Sequence, residues 1–272
     1  MVLERSIQAK MDDPDAGDSI HTNVVAQSFG YRAALITGST VFGWCVPLIF
    51  EALGERWLEY GWTEVDYRRP VYPTDVLTQR LEPSGKDSFT FSVQNTDGIV
   101  CVSGSVGLGE GAWVKNHVRS KRLAPEPAPD PRPILYLAQA PVGQDLSALQ
   151  HATHRVPALR PEDIEPTDGP APALILADRV VVNPATLGMQ GSYYGHAQYA
   201  YEDPSIHVST RTQQQGLIDA GDTLTIAGHC IEAYEKRGHH YWTTDTTMYS
   251  SDGREVARNR YTTAFKHVKP GE

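Results

Sequence analysis

From Gly38 to Phe50 the chain is apolar at nearly every position, and from Glu51 to Tyr60 apolar residues alternate with Glu51, Glu55, Arg56 and Glu59. A segment apolar on all sides predicts a helix enclosed by protein, here turning amphipathic towards its end. Pro47 within it predicts a kink or a late start, because proline has no amide hydrogen and crowds the preceding turn. Farther along, the period changes. Tyr241, Thr243, Asp245, Thr247 and Tyr249 predict one face of a strand, with Trp242, Thr244, Thr246 and Met248 on the other. The pairs Asp97-Gly98 and Asp252-Gly253 predict tight hairpin turns, since glycine readily supplies the positive φ such turns need.

These markers recur in order. The apolar segment Gly38 to Tyr60 precedes Asp75-Val-Leu-Thr, Gly85 and Asp97-Gly98, while Pro184 to Tyr201 precedes Asp222-Thr-Leu-Thr, Gly238 and Asp252-Gly253. Such repeated punctuation predicts a duplicated module of helix, strand, strand, turn, strand. Between the copies, LAPEPAPDPRP (123–133) and the Pro-rich, acidic stretch after it predict an extended surface linker. The expected organisation is an N-terminal repeat over 1–122, a linker or insertion over 123–173 and a C-terminal repeat over 174–272. The fold class is α+β, with long antiparallel sheets.

Composition narrows the function. Lys and Arg number 24 against 33 Asp and Glu, a formal net charge of −9, which argues against a nucleic-acid reader. Cys45, Cys101 and Cys230 are odd in number and lack CxxC spacing, so neither a disulfide framework nor a zinc cluster is expected. The N-terminus has no apolar stretch of signal-peptide length, and Val41 to Phe50 falls short of a membrane span. A soluble, cytoplasmic protein is expected. Tandem repeats can pair their sheets within one chain, and a homodimer would protect any remaining edge.

A buried helix followed by long antiparallel strands, present twice, resembles a double hotdog fold. Asp18-Ser-Ile-His21, followed by Ala26, Phe29-Gly30-Tyr31 and Leu35-Ile-Thr-Gly38, is similar to the hydratase motif of the MaoC-like dehydratase and (R)-specific enoyl-CoA hydratase family. There, Asp-x-Asn-Pro-Ile-His leads to a His-Gly that opens the hotdog helix. Arg69-Pro-Val-Tyr-Pro-Thr-Asp75 resembles that family's Phe-x-x-Pro-Val-x-x-Gly-Asp-x-Leu strand, which extends the match through most of the first half. In the second half, Ile206-His-Val-Ser209 and Tyr234-Glu-Lys-Arg-Gly238 resemble two-repeat actinobacterial acyl dehydratase-like proteins. Two positions depart from the motif: its carboxylate falls on Ala16, and Thr37 replaces the histidine before Gly38. Either the carboxylate has moved to Asp15 or Asp18, or the hydration chemistry is modified.

The resemblance implies reversible hydration of an enoyl thioester carried on coenzyme A or acyl carrier protein, without a metal or redox cofactor. His21 is the acid-base candidate, because imidazole can both hold and donate a proton near neutrality. Its plainer reading is a capping or core histidine. Asp18 could orient His21 or share a water with it, or cap the helix predicted over Thr22 to Ser28; Asp15 is the alternative carboxylate. The Gly38 amide, at the first turn of a helix, is the candidate donor to a thioester oxygen. Thr37, Ser39, Tyr31, Tyr194 and His207 are candidate substrate contacts, with a helix cap the favoured reading of Ser39. The run GMQGSYYGHAQYAY would line a pocket for an aromatic or oxygenated acyl group. Lys115, Arg119, Lys121 and Arg122 could meet carrier phosphates or form a solvated strand end. His151-x-x-His154 and His239-His240 lack companion ligands at recognised spacing, so no metal site is expected. A cyclase or dehydratase of a polyketide-like pathway and a noncatalytic acyl-binding protein stand as alternatives.

Overall fold

The structure, a computed structural model, describes residues 1–11, 19–153, 157–166 and 171–268. In the first repeat, β1 (Leu3–Gln8) and α1 (Asn23–Ser28) precede a broken helix, α2 (Gly38–Gly43), α3 (Val46–Leu53) and α4 (Glu55–Tyr60). Strands β2 (Gly61–Tyr67), β3 (Val76–Pro83), β4 (Ser88–Asn95) and β5 (Val100–Leu108) follow. Between the repeats lie β6 (Leu149–Ala152), β7 (Ala158–Leu159), β8 (Ala173–Leu176) and β9 (Arg179–Val181). The second repeat comprises α5 (Pro184–Gln198), β10 (Ile206–Gln214), β11 (Thr223–Lys236), β12 (His239–Tyr249) and β13 (Glu255–Lys266).

Ten strands form one antiparallel sheet in the order β1-β3-β4-β5-β2-β10-β13-β12-β11-β6, so the repeats join edge to edge through β2 and β10. The order mirrors itself about that joint. β3 and β11, which carry the aligned Val-Leu-Thr and Thr-Leu-Thr segments, occupy equivalent places, and the two Asp-Gly turns close the β4–β5 and β12–β13 hairpins. Gly98 and Gly253 have φ of 73° and 82°, as tight turns require. The segment 123–173 supplies β6, which pairs with β11 as the outermost strand of the second repeat.

The long apolar helix breaks twice. Pro47 falls in the first turn of α3, where its missing amide hydrogen is tolerated, so the regular helix restarts just ahead of it. Gly54 (φ 66°) makes the second break. The α5 helix lies close on its sheet because Gly188, Gly191 and Gly195 share one face. A Cβ at Gly191 would come within 2.5 Å of Tyr261, and one at Gly195 within 3.1 Å of the Trp242 ring. Trp57, Ile49 and Leu77 fill the first core, and Trp242, Tyr194 and Phe265 the second.

Strand β12 is buried on both faces from Trp242 to Met248, whereas simple alternation would leave one face to solvent. The tail of the first repeat covers the face opposite α5. Asp245, fully buried, accepts from the Val118 amide (2.7 Å) and from Arg260 Nε and Nη2 (2.7 and 2.8 Å), and Arg260 also donates to the Asn116 carbonyl (2.8 Å). Cys45, Cys101 and Cys230 are buried and unbonded to one another, and burial pushes the Cys45 thiol up to about 12. Among the described residues, no helix is long and apolar enough to cross a membrane.

Candidate active site

The loop between α1 and α2 is pinned by backbone bonds at Leu35 and Ile36. The Leu35 amide donates to Ile20 O (3.3 Å) and that of Ile36 to Val71 O (2.9 Å), while Asn23 Oδ1 accepts from Ala34 N (2.9 Å). This fixes the Leu35 carbonyl beside His21, whose Nδ1 lies 2.6 Å from it. A carbonyl oxygen can only accept, so Nδ1 carries a proton, and the lone pair available to a base is the one at Nε2. Thr37 Oγ1 stands 3.4 Å from Nε2. Gly38 begins α2, where an amide has no acceptor within the helix. A Cβ there would come within 2.8 Å of the Tyr67 ring, so glycine is required by the close approach of β2.

These groups border a cavity of about 290 Å³ between the repeats. Of the residues expected from sequence, His21, Tyr31, Thr37, Gly38 and His207 are together on its wall. Ser39 is a correction: it is buried beside Gly38 but does not line the cavity, because Gly38 and Val41 share the cavity-facing side of α2 and Ser39 is rotated off it. It is not the cap either, since the N-cap position is Thr37. Tyr194 is the second correction. The glycine face turns it to the sheet, where it lies against Gly228 and donates to the Ser147 carbonyl (2.7 Å). Of the residues in the run GMQGSYYGHAQYAY, Tyr193, Tyr194, Tyr199 and Tyr201 do not line the cavity, whereas His196 does. Asp15, Ala16 and Asp18 lie outside the described residues, and no carboxylate is among the described residues on the wall.

Several wall residues outside the α5 run, which was expected to line a pocket, escaped the sequence reading. Arg68 and Arg69, exposed at the end of β2, reach the cavity as a cationic rim, and the tandem arginines before Pro70 were their available signal. Arg68 also pairs with Asp66 (3.5 Å), and Arg119 and Arg122 pair with Glu255 and Glu126. Met189, Ser192 and His196 line one face of α5 at helical spacing. His196 Nε2 is 2.8 Å from Ser205 Oγ, and burial, followed by the charge of Arg132, holds its pKa below the usual histidine value. His207 lies between the rings of Tyr67 and Tyr261, tilted to both, with centroids 4.2 and 4.4 Å away, and bonds through Nε2 to Thr210. Burial pushes its pKa down to about 3.

No family model and no curated protein matches the chain. Solved structures do match over nearly all of it. A conserved hypothetical protein of Mycobacterium tuberculosis, described as essential for bacterial survival during infection and as having a double hotdog fold, is 13% identical with a TM-score of 0.62, covering 97% of this chain and 95% of that one. A MaoC-like dehydratase is 13% identical (TM-score 0.56; 97% and 98% covered). An acyl-CoA thioesterase II of Mycobacterium marinum is 15% identical (TM-score 0.50; 88% and 91% covered). The mirrored ten-strand sheet, the helix in each repeat and these full-length likenesses agree: the chain has the double hotdog fold.

Proposed function

We propose that the protein processes acyl thioesters, and that its reaction is water addition to an enoyl thioester or the reverse elimination. The observation that carries this reading is the His21 imidazole, tethered through Nδ1 to Leu35 O and bordering the cavity beside the first amide of α2. In the hydration direction, Nε2 takes a proton from water as its oxygen bonds to Cβ. The double-bond electrons move through Cα to the thioester oxygen, where the Gly38 N–H stabilises the enolate. Cα then takes a proton from the imidazolium, which restores the neutral ring and the thioester carbonyl. Asp15 or Asp18 would hold the water or orient the ring, the part left open by Ala16. Arg68 and Arg69 suit the phosphates of coenzyme A or of a carrier-bound phosphopantetheine.

Of the similar structures named above, one is described as a MaoC-like dehydratase and another as an acyl-CoA thioesterase, so the test must separate elimination from hydrolysis. Incubation with a series of trans-2-enoyl-CoA esters should remove the conjugated-thioester absorbance without releasing free thiol. His21→Ala should lower the rate by at least about a hundredfold, the loss typical of a general acid-base group. Thiol release with the conjugation intact, or full activity in the folded variant, would overturn the assignment.

A further inference from the structure

The two repeats contribute differently to the cavity wall. The first provides all but two of its aliphatic side chains, Ile20, Leu35, Ile36, Val41, Val71 and Val102, beside His21, Thr37 and the arginine rim described above. The second contributes Ser192 and His196 from α5, Ser205 and His207 at the start of β10, and Tyr261 from β13, with Met189 and Ile206 among them. A site for a plain hydrocarbon chain gains nothing from a polar half, since each polar group shielded from water needs a hydrogen-bond partner. His207 packs against the Tyr261 ring and bonds through Nε2 to Thr210, while its buried Nδ1 has no partner among the described residues. Ser205 and His196 bond to each other at 2.8 Å while both border the cavity. The His196 carbonyl is held by Arg132 Nη1 (2.7 Å) and its ring stands edge-on to Tyr201, at 4.8 Å between centroids, so the ring is fixed in place.

One hydrogen bond does not exhaust this pair. If the Ser205 hydroxyl donates to Nε2, its oxygen still accepts; if Nε2–H donates to Ser205, the hydroxyl proton is still available. Either tautomer suits a substrate hydroxyl, which can donate or accept, and the second also suits a carbonyl oxygen, which accepts the free hydroxyl proton. We propose that Ser205, held by His196, is a subsite for a hydroxyl or carbonyl oxygen on the acyl chain, so that the preferred substrates are oxygenated acyl thioesters. This inference rests on the cavity being an acyl site, as proposed above, but not on the reaction carried out there.

The test is therefore a binding measurement. Unreactive S-alkyl thioether analogues of coenzyme A, matched in chain length and differing in the presence and position of one hydroxyl or keto oxygen, are titrated calorimetrically into the full chain. In the wild type, at least one oxygenated analogue should bind about tenfold more tightly than the hydrocarbon analogue, the worth of one neutral hydrogen bond in a shielded site. In Ser205→Ala, shown to be folded by its circular dichroism, that ratio should fall to about one. His196→Phe should reduce it as well, by releasing the serine. Equal binding of all analogues by the wild type, no binding of any, or a ratio that survives in Ser205→Ala would overturn the inference. Oxygen-dependent binding without enoyl turnover would sustain it while refuting the hydratase reading.

Discussion

His207 lies between two tyrosine rings, and a histidine enclosed in this way titrates differently from one in water. Burial shifts its pKa from the ordinary 6.5 to about 3, so the folded protein holds it neutral where the unfolded chain would protonate it. Between those values the unfolded state binds more protons. Stability therefore rises with pH through this window and is lost as pH falls through it, by at most about 1.4 kcal/mol per pH unit for one group. Burial also lowers His117, His196 and His267, so the wild-type curve combines several such slopes. His207→Phe keeps a ring between Tyr67 and Tyr261 and removes one slope alone. In urea unfolding at a series of pH values, the stability of the wild type relative to this variant should decline steadily from about pH 7 to about pH 4. Parallel curves would show that His207 is free to protonate in the folded protein.

At the scale of elements, the strap over β12 explains why a strand with alternating polar residues is buried on both sides. Asp245 is the fastening, since it holds the Val118 amide and the Arg260 guanidinium together. Asp245→Ala should destabilise the protein by roughly 3–5 kcal/mol, because it leaves Arg260 without its counter-charge under the strap. Asp245→Asn, which still accepts from Val118, should lose less, and equal losses in chemical denaturation would show that the counter-charge to Arg260, not the backbone bond, carries the effect. The strap also marks the limit of what the sequence reveals. The hairpins and the duplicated order were legible because Asp-Gly turns and strand periods are local properties, and Pro47 announced its own break. The strap and the β6 pairing depend on contacts between distant segments, which no local pattern encodes. At the site, His21, Thr37 and Gly38 were legible through one contiguous motif. Tyr194 was misplaced because the aromatic residues of α5 drew more attention than its glycines. Gly188, Gly191 and Gly195 mark the face laid on the sheet, and reading them first would have left Met189, Ser192 and His196 for the cavity. Ser205 had no such signal, since the joining of the repeats brings it to the wall.

For the whole molecule, that joining is the decisive event. One repeat provides His21 and Gly38 and the other provides Ser205 and His207, so the cavity exists only when both are folded and in register. At the N-terminus of α5, where duplication would put a second site, the Pro172 and Ala171 carbonyls accept from Asn183 and Thr186. Ile164, Leu174 and Leu176 join the first core there, so chain fills that space. The seam between β2 and β10 is fastened largely by the second repeat's side chains. Arg211 pairs with Glu64 directly across it (3.0 Å), and Gln214 donates to the Trp57 carbonyl (2.6 Å). Gln213, buried, accepts from the Gly111 amide (2.8 Å) and donates to the carbonyls of Gly61 (3.2 Å) and Gly109 (3.0 Å). Gln213→Ala would strand these first-repeat backbone groups away from water, at about 1–3 kcal/mol for each one left unsatisfied. If the sheet is a single cooperative unit, the loss spreads to both repeats although the stranded groups belong to one. Amide hydrogen exchange reads this directly: protection in β4 and in β12 should fall by the same factor in Gln213→Ala. Loss confined to β4 would mean that the second repeat keeps its fold without the first, and that the cavity assembles by docking of two independently stable halves.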